Sequence, residues 1–187
     1  MKLSILILST PDRAAYLSNI VAILSKQDRK DVEILINTDD GTKTIGAKRN
    51  ESLLKAKGEY VCFVDSDDEV SDNYIQLIMT ALKSNPTHCS LKGVYTVDDG
   101  GACAFEHSND YIRYRTVVDE KGEPVFYERY PNHLNVIRKD LALKAIFPEI
   151  NHGEDTDWAT QLKVIGDLTN EAYIKEVLYH YKFRTNK

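Results

Sequence analysis

The segment that most limits what this chain can fold into is 58–70, where a short apolar run ends abruptly in acid. Tyr60, Val61, Cys62, Phe63 and Val64 follow Gly58 and Glu59, and this aromatic and β-branched composition predicts a buried strand. Asp65, Asp67, Asp68 and Glu69 come directly after it. Carboxylates so crowded repel one another unless water, a cation or basic side chains neutralise them. In open α/β sheets, ligands collect at the carboxyl ends of strands, so the segment reads as a strand delivering acid to a ligand edge. A hard divalent cation, Mg²⁺ or Mn²⁺, suits such a cluster, because it takes one or two carboxylates and fills its other positions with water and phosphate oxygens. The competing reading is a solvated acidic turn.

Strand and helix alternate around that segment through the first half. Residues 3–8 are apolar apart from one serine and predict a parallel strand, with helix-start chemistry next in Ser9-Thr10-Pro11-Asp12. Leu17, Ile20, Val21 and Leu24 then fall on one helical face. Residues 32–36 predict a second strand, closed by Asn37-Thr38-Asp39-Asp40-Gly41, and 42–57 a helix with Gly58 as its C-cap. A further helix is expected over 72–83, ended by Asn85-Pro86. Alternation of this kind predicts an α/β fold with a mostly parallel sheet flanked by helices.

After residue 87 the pattern changes. Residues 89–97, 111–118 and 124–129 predict strands, the first two joined through Asp98-Asp99-Gly100-Gly101 and a polar stretch. Short helices are expected over 139–147 and 156–165, and a tyrosine-rich strand over 172–183. The expectation is one domain over 1–187: a nucleotide-binding half, 1–87, and a small mixed α+β annex, 88–187, that completes a site.

Composition removes several classes of function. With 187 residues, 42% hydrophobic and 28% charged, the chain is an ordinary globular domain. A net charge of -5 argues against a broad nucleic-acid surface. Cys62, Cys89 and Cys103 are odd in number and form no Cys-x-x-Cys pair, which suits a reducing cytoplasm rather than a disulfide or zinc framework. The first ten residues read as a strand and not a signal, and no run reaches the roughly 20 apolar residues of a membrane span.

Three acidic strand ends, Thr10-Pro11-Asp12-Arg13, Thr38-Asp39-Asp40-Gly41 and Asp65-Ser66-Asp67-Asp68, would meet at one edge of a parallel sheet. Lys48-Arg49-Asn50 lies between the second and third, and is either a phosphate-neutralising face or a solvated one. Gly153-Glu154-Asp155 precedes Trp158; Asp155 near a helix start is either a general base or a plain cap, with Trp158 in the core. His133, His152 and His180 are candidate metal or phosphate contacts, and equally ordinary packed or surface histidines. On a strand, His180 faces opposite to Tyr179 and Tyr181.

Taken together, these residues resemble glycosyltransferase family 2, the inverting, nucleotide-sugar-dependent enzymes of the GT-A (Rossmann-like) fold. The likeness runs through Ser4-Ile5-Leu6-Ile7, the segments 10–13 and 32–41, Lys48-Arg49-Asn50-Glu51, the whole of 56–68, Asn135-Val136-Ile137-Arg138-Lys139 and Gly153-Glu154-Asp155. The resemblance implies Asp40 at the nucleobase with Thr10 and Arg13 nearby, Arg49 along the nucleotide, Asp65 near the ribose, Asp67 on a Mn²⁺ or Mg²⁺ ion bridging the diphosphate, and Asp155 as catalytic base. His180, in a Tyr-His-Tyr strand like that near the end of many members, would complete the metal's coordination or touch the leaving phosphate. The chain departs from the family in carrying Pro11-Asp12 where an aromatic residue and an asparagine are common, and Asn37-Thr38 at an otherwise apolar strand end. The implied acceptor is a hydroxyl on a saccharide or another molecule, a modified DNA base among them.

Two other classes compete. A haloacid-dehalogenase-type phosphatase would use Asp65 as nucleophile and Asp67 as acid, but Glu69 stands where that motif has Thr or Val, and the strand is third rather than first. A non-catalytic nucleotide-sugar-binding module would need none of the candidate base and metal residues. A sugar-1-phosphate nucleotidyltransferase lacks its glycine-rich, lysine-bearing loop here.

Overall fold

A computed structural model describes every residue except Asp28, Asp99, Asn186 and Lys187. Its first sheet has six strands, built on β1 (Leu3–Ser9), β2 (Val32–Thr38) and β3 (Tyr60–Phe63). These three run parallel with β1 in the middle. Alternate residues feed two cores: Leu3, Ile5, Ile7, Tyr60 and Cys62 enter one, Leu6, Val61 and Phe63 the other. Each such side chain contributes roughly 1.5–3 kcal/mol on full burial. Helix α1 (Ala14–Ser25) covers the first face with Ile20 and Leu24 buried, and α2 (Ile45–Lys55) covers the second with Leu53.

β4 (Glu69–Val70) leads to α3 (Tyr74–Ala81), which packs beside α1, and then to β5 (His88–Cys89) and β6 (Leu91–Val97). β7 (Cys103–His107), β8 (Arg115–Val118), β9 (Pro124–Arg129) and β10 (Ile137–Arg138) follow. Helices α4 (Lys139–Ala142) and α5 (Glu154–Ile165) precede β11 (Glu171–Ala172) and β12 (Val177–Phe183). The first sheet is ordered β11-β5-β10-β3-β1-β2, and the second β4-β12-β6-β7-β9-β8. Both are mixed beyond the parallel trio, since β10 runs antiparallel to β3 and β5. The second sheet equals the first in strand number. The halves also interleave, with β10, β5 and β11 extending the first sheet and β4 entering the second.

Local expectations are revised at several points. The expected strand 89–97 is interrupted, giving β5 and β6, and 111–118 contracts to β8. β7 was not expected; it occupies the stretch read as polar, and Asp99 of the turn before it lies outside the described residues. The helix expected over 139–147 is the single turn α4. Gly58 is not a C-cap, because α2 ends at Ala56. Its requirement is steric: a Cβ there would lie 2.5 Å from the Ser4 backbone nitrogen, where β1 passes. Among the described residues no helix is long and apolar enough to cross a membrane.

Candidate functional site

The carboxyl ends of β1 and β3 open onto a cavity of about 400 Å³, closed by α2, the start of α5 and the strand β12. Thr10, Arg13, Arg49, Asp65, Asp67 and Asp155 all line it, so six of the eight residues singled out from the sequence meet in one place. Asp40 and His180 do not line it. The Asp40 carboxylate accepts from the backbone N–H and hydroxyl of Thr42, closing its own turn, while its neighbour Asp39 reaches Lys48 Nζ at 2.8 Å. On β12 it is the tyrosines that face the acidic loop. The Tyr179 hydroxyl donates to Asp68 at 2.8 Å and accepts from the Asp65 N–H, and Tyr181 lines the cavity. The pleat turns His180 the other way, its Nε2 3.0 Å from the Thr96 hydroxyl and its Nδ1 3.9 Å from Glu69. His180 thus stands outside the cavity that Asp67 lines.

The triplet on α2 is turned inward rather than solvated. Lys48 and Arg49 are each 4% exposed, and Asn50 exchanges hydrogen bonds with both backbone groups of Phe147. Arg49 spans two elements: Nε donates to Glu154 Oε1 at 3.1 Å and Nη2 to Asp65 Oδ1 at 3.2 Å. Its guanidinium lies 4.8 Å from the Phe63 ring centroid, a cation–π contact. Glu154 and Asp155 open α5, and Gly153 before them has φ +84°, a left-handed geometry that glycine adopts without strain. Because Gly153 is the N-cap and Asp155 sits in the first turn, Asp155 is not the capping residue. Trp158 packs in the core against Phe147, centroids 4.6 Å apart.

The crowding of acid after β3 is relieved by the protein itself. Burial opposes charge on Asp65, but the Arg49 guanidinium, with His133 beside it, outweighs burial and holds the carboxyl below the usual carboxylate range. Asp67 pairs with Arg13 at 3.1 Å, and Glu69 with Lys182 at 2.6 Å. Burial, followed by the negative charge of Asp65, raises Asp68 to about 8, which disfavours its charged form. The cluster does not of itself demand a metal. Among the described residues no three His, Cys, Asp or Glu side chains gather as a cage for one. Asp67 nevertheless supplies one hard oxygen, which fits an Mg²⁺ or Mn²⁺ ion held chiefly by phosphate oxygens and water, while Arg13, Lys48, Arg49 and Lys182 are cations suited to the phosphates themselves.

His133 is the site residue whose position the sequence did not give. It is 6% exposed, with Nε2 3.7 Å from Asp65 and Nδ1 3.6 Å from Asp155, and so links the two carboxylates. Glu154, Tyr179 and Tyr181 stood in motifs quoted from the sequence but were given no role there. A carboxylate next to Asp155 and two tyrosines flanking His180 were the available signals.

Comparison with known proteins agrees with this fold. A curated beta-1,3-glucosyltransferase of Campylobacter jejuni, named for GalNAc(5)-diNAcBac-PP-undecaprenol, is 24% identical over 87% of this chain and 60% of its own length. Among solved structures, S. aureus TarS 1-349 in complex with UDP-GlcNAc matches with a TM-score of 0.71 at 16% identity, over 100% of this chain and 60% of that one. GalNAc-T7 with UDP, GalNAc and Mn²⁺ matches at 0.66 and 13% identity, over 100% of this chain and 44% of that one. The chain thus spans about 60% of the length of the curated relative. These structures share the GT-A fold with it. The family model for glycosyl transferase family 2 matches residues 19–144, most of the chain, and the protein belongs to that family.

Proposed function

We propose that residues 1–187 act as a single GT-A domain that transfers a sugar, with inversion, from a nucleoside-diphosphate sugar to an acceptor hydroxyl. The observation carrying this reading is the cavity at the ends of β1 and β3, where Asp155 stands among cations suited to a diphosphate. Arg13, Lys48, Arg49 and Lys182 would hold the diphosphate, with Thr10 and Asp65 on the nucleoside. Relatives crystallised with UDP or UDP-GlcNAc support a uridine donor. The name of the curated relative supports a saccharide on a lipid diphosphate as one class of acceptor.

Asp155 would accept the acceptor's proton as its oxygen bonds to the anomeric carbon, and the electron pair of the breaking C1–O bond would leave on the diphosphate. Attack and departure on opposite faces invert the configuration, and no enzyme nucleophile is needed. An ion on Asp67 would supply positive charge to the leaving diphosphate. His133, between Asp65 and Asp155, would fix the orientation of the base.

Two variants test the reading. Asp155→Asn should lower turnover by about 10²-fold or more with donor affinity unchanged, and near wild-type transfer would remove Asp155 from the role. Asp67→Ala should abolish any enhancement of UDP binding by Mn²⁺; calorimetry showing the enhancement intact would remove Asp67 from the ion.

A further inference from the structure

A second cavity of about 410 Å³ adjoins the first, and Asp155, His133 and Tyr181 line both. Its floor is one face of the second sheet. Tyr95 pairs with Tyr181 across β6 and β12, and Phe105 with Tyr127 across β7 and β9. Two-residue alternation adds Arg129 and Phe183 to the same face. The rings form a continuous surface: Tyr95 stacks on Tyr181 with centroids 5.4 Å apart and meets Tyr127 edge-on at 5.5 Å. Gly93 keeps it level, because a Cβ there would collide with the Phe105 ring. An aromatic floor with a few polar groups at its rim is the usual chemistry of a small-ligand site.

Among the described residues Arg129 is the one arginine or lysine lining this trough. Its guanidinium lies 4.8 Å from the Tyr114 ring centroid and 5.1 Å from that of Tyr127, and Nη1 donates to the carbonyls of Arg115 and Glu128. Among the described residues no carboxylate pairs with it, although nearly every other cation in and around the two cavities has one. A half-buried arginine held by aromatic faces and backbone oxygens alone retains its capacity for a bidentate anion contact.

We propose that the trough is the acceptor site, taking a hexose ring that bears one anionic group, a carboxylate or a phosphate ester. The ring lies on Tyr95, Tyr127 and Tyr181, the anion meets Arg129, and a hydroxyl is presented to Asp155. The assignment rests on the reading of Asp155 as base. A nucleobase would also stack on such a floor, but nucleic acid draws its affinity from several phosphate contacts. One arginine in a chain of net charge -5 does not provide them.

Titration of the full chain with methyl glucuronoside, methyl glucoside and glucose 6-phosphate, each with and without UDP and Mn²⁺, tests this. At least one acidic ligand should bind about tenfold more tightly than the neutral glycoside, the worth of one charge-assisted contact. The tighter acidic ligand identifies the anion as carboxylate or phosphate. Arg129→Gln should erase the preference while leaving the neutral glycoside and UDP unaffected, and Tyr127→Ala should weaken all three sugars while UDP binding, which reports the fold, is kept. Equal affinity for acidic and neutral sugars in the wild type would overturn the anion assignment. Tighter binding of a short single-stranded oligonucleotide, lost in Tyr127→Ala, would overturn the saccharide. Sugar binding without UDP binding would sink the donor reading and spare the trough; UDP binding without any sugar binding would do the reverse.

Discussion

Arg49 is the residue on which the first cavity turns, because its charge is shared by two carboxylates from segments far apart in sequence. Removing it would leave Glu154 and Asp65 without their common partner. Arg49→Met should therefore cost roughly 3–5 kcal/mol, the range for breaking a buried pair, read as a lower midpoint in urea. Arg49→Lys should recover only part of that, since an ammonium cannot reproduce the two-sided fork. His107 makes a different demand. Burial lowers its pKa to about 3, and its Nδ1–H donates to Asn135 Oδ1, 3.1 Å away. Between pH 6.5 and about 3 the unfolded chain binds a proton that the folded chain refuses, so stability is complete above this window and is lost as pH falls through it. His107→Gln, which keeps a donor but does not titrate, should flatten that decline in acid-dependent unfolding curves. Neither residue's partner was legible from the sequence. Arg49 was recognised by its neighbours in the chain, but Glu154 lies 105 positions away, and nothing local links them.

At the scale of elements, α2 carries Lys48 and Arg49 and is seated by a close approach at Gly46, where a methyl group would be driven into the Pro148 carbonyl. Gly46→Ala should move the helix outward at a cost of about 1–3 kcal/mol. It should also weaken UDP binding more than its loss of stability alone explains, which thermal melts with and without UDP would separate. The long elements of the first half were readable because each carries its own local signal, a continuous apolar run in β1 and a 3.6-residue period in α1. β4, β5, β10 and β11 are two-residue pairings and have no period to read. β7 was obscured by the glycines before it and by its alternation of Glu106 with Phe105 and His107, which resembles a polar loop until its partners are known. The face of β12 was undecidable for the same reason. Alternation showed that His180 opposes its tyrosines, and only the Tyr179 hydrogen bonds reveal which side meets the site.

For the whole molecule, exchange of strands between the halves means that neither sheet can be completed from one half of the chain. A fragment ending at residue 87 would expose the β3 edge that β10 covers, and should be unfolded or aggregated by circular dichroism and sedimentation. The full chain should unfold in one transition, coincident by fluorescence of Trp158 and by far-ultraviolet circular dichroism. The position of β12 carries this into the order in which the cavity can assemble. It follows β4 and β6 by many residues, yet it pairs with both, and its Tyr179 ties down the loop holding Asp65 and Asp68. A chain ending before residue 177 would keep Arg13, Lys48 and Arg49, but its acidic loop would lose the Tyr179 bonds to Asp65 and Asp68 and keep only the ion pairs to Arg49 and Arg13. The wall of the cavity is thus completed by a segment 111 residues beyond the carboxylate it holds, so a closed cavity depends on a contact that no shorter stretch of the chain can make.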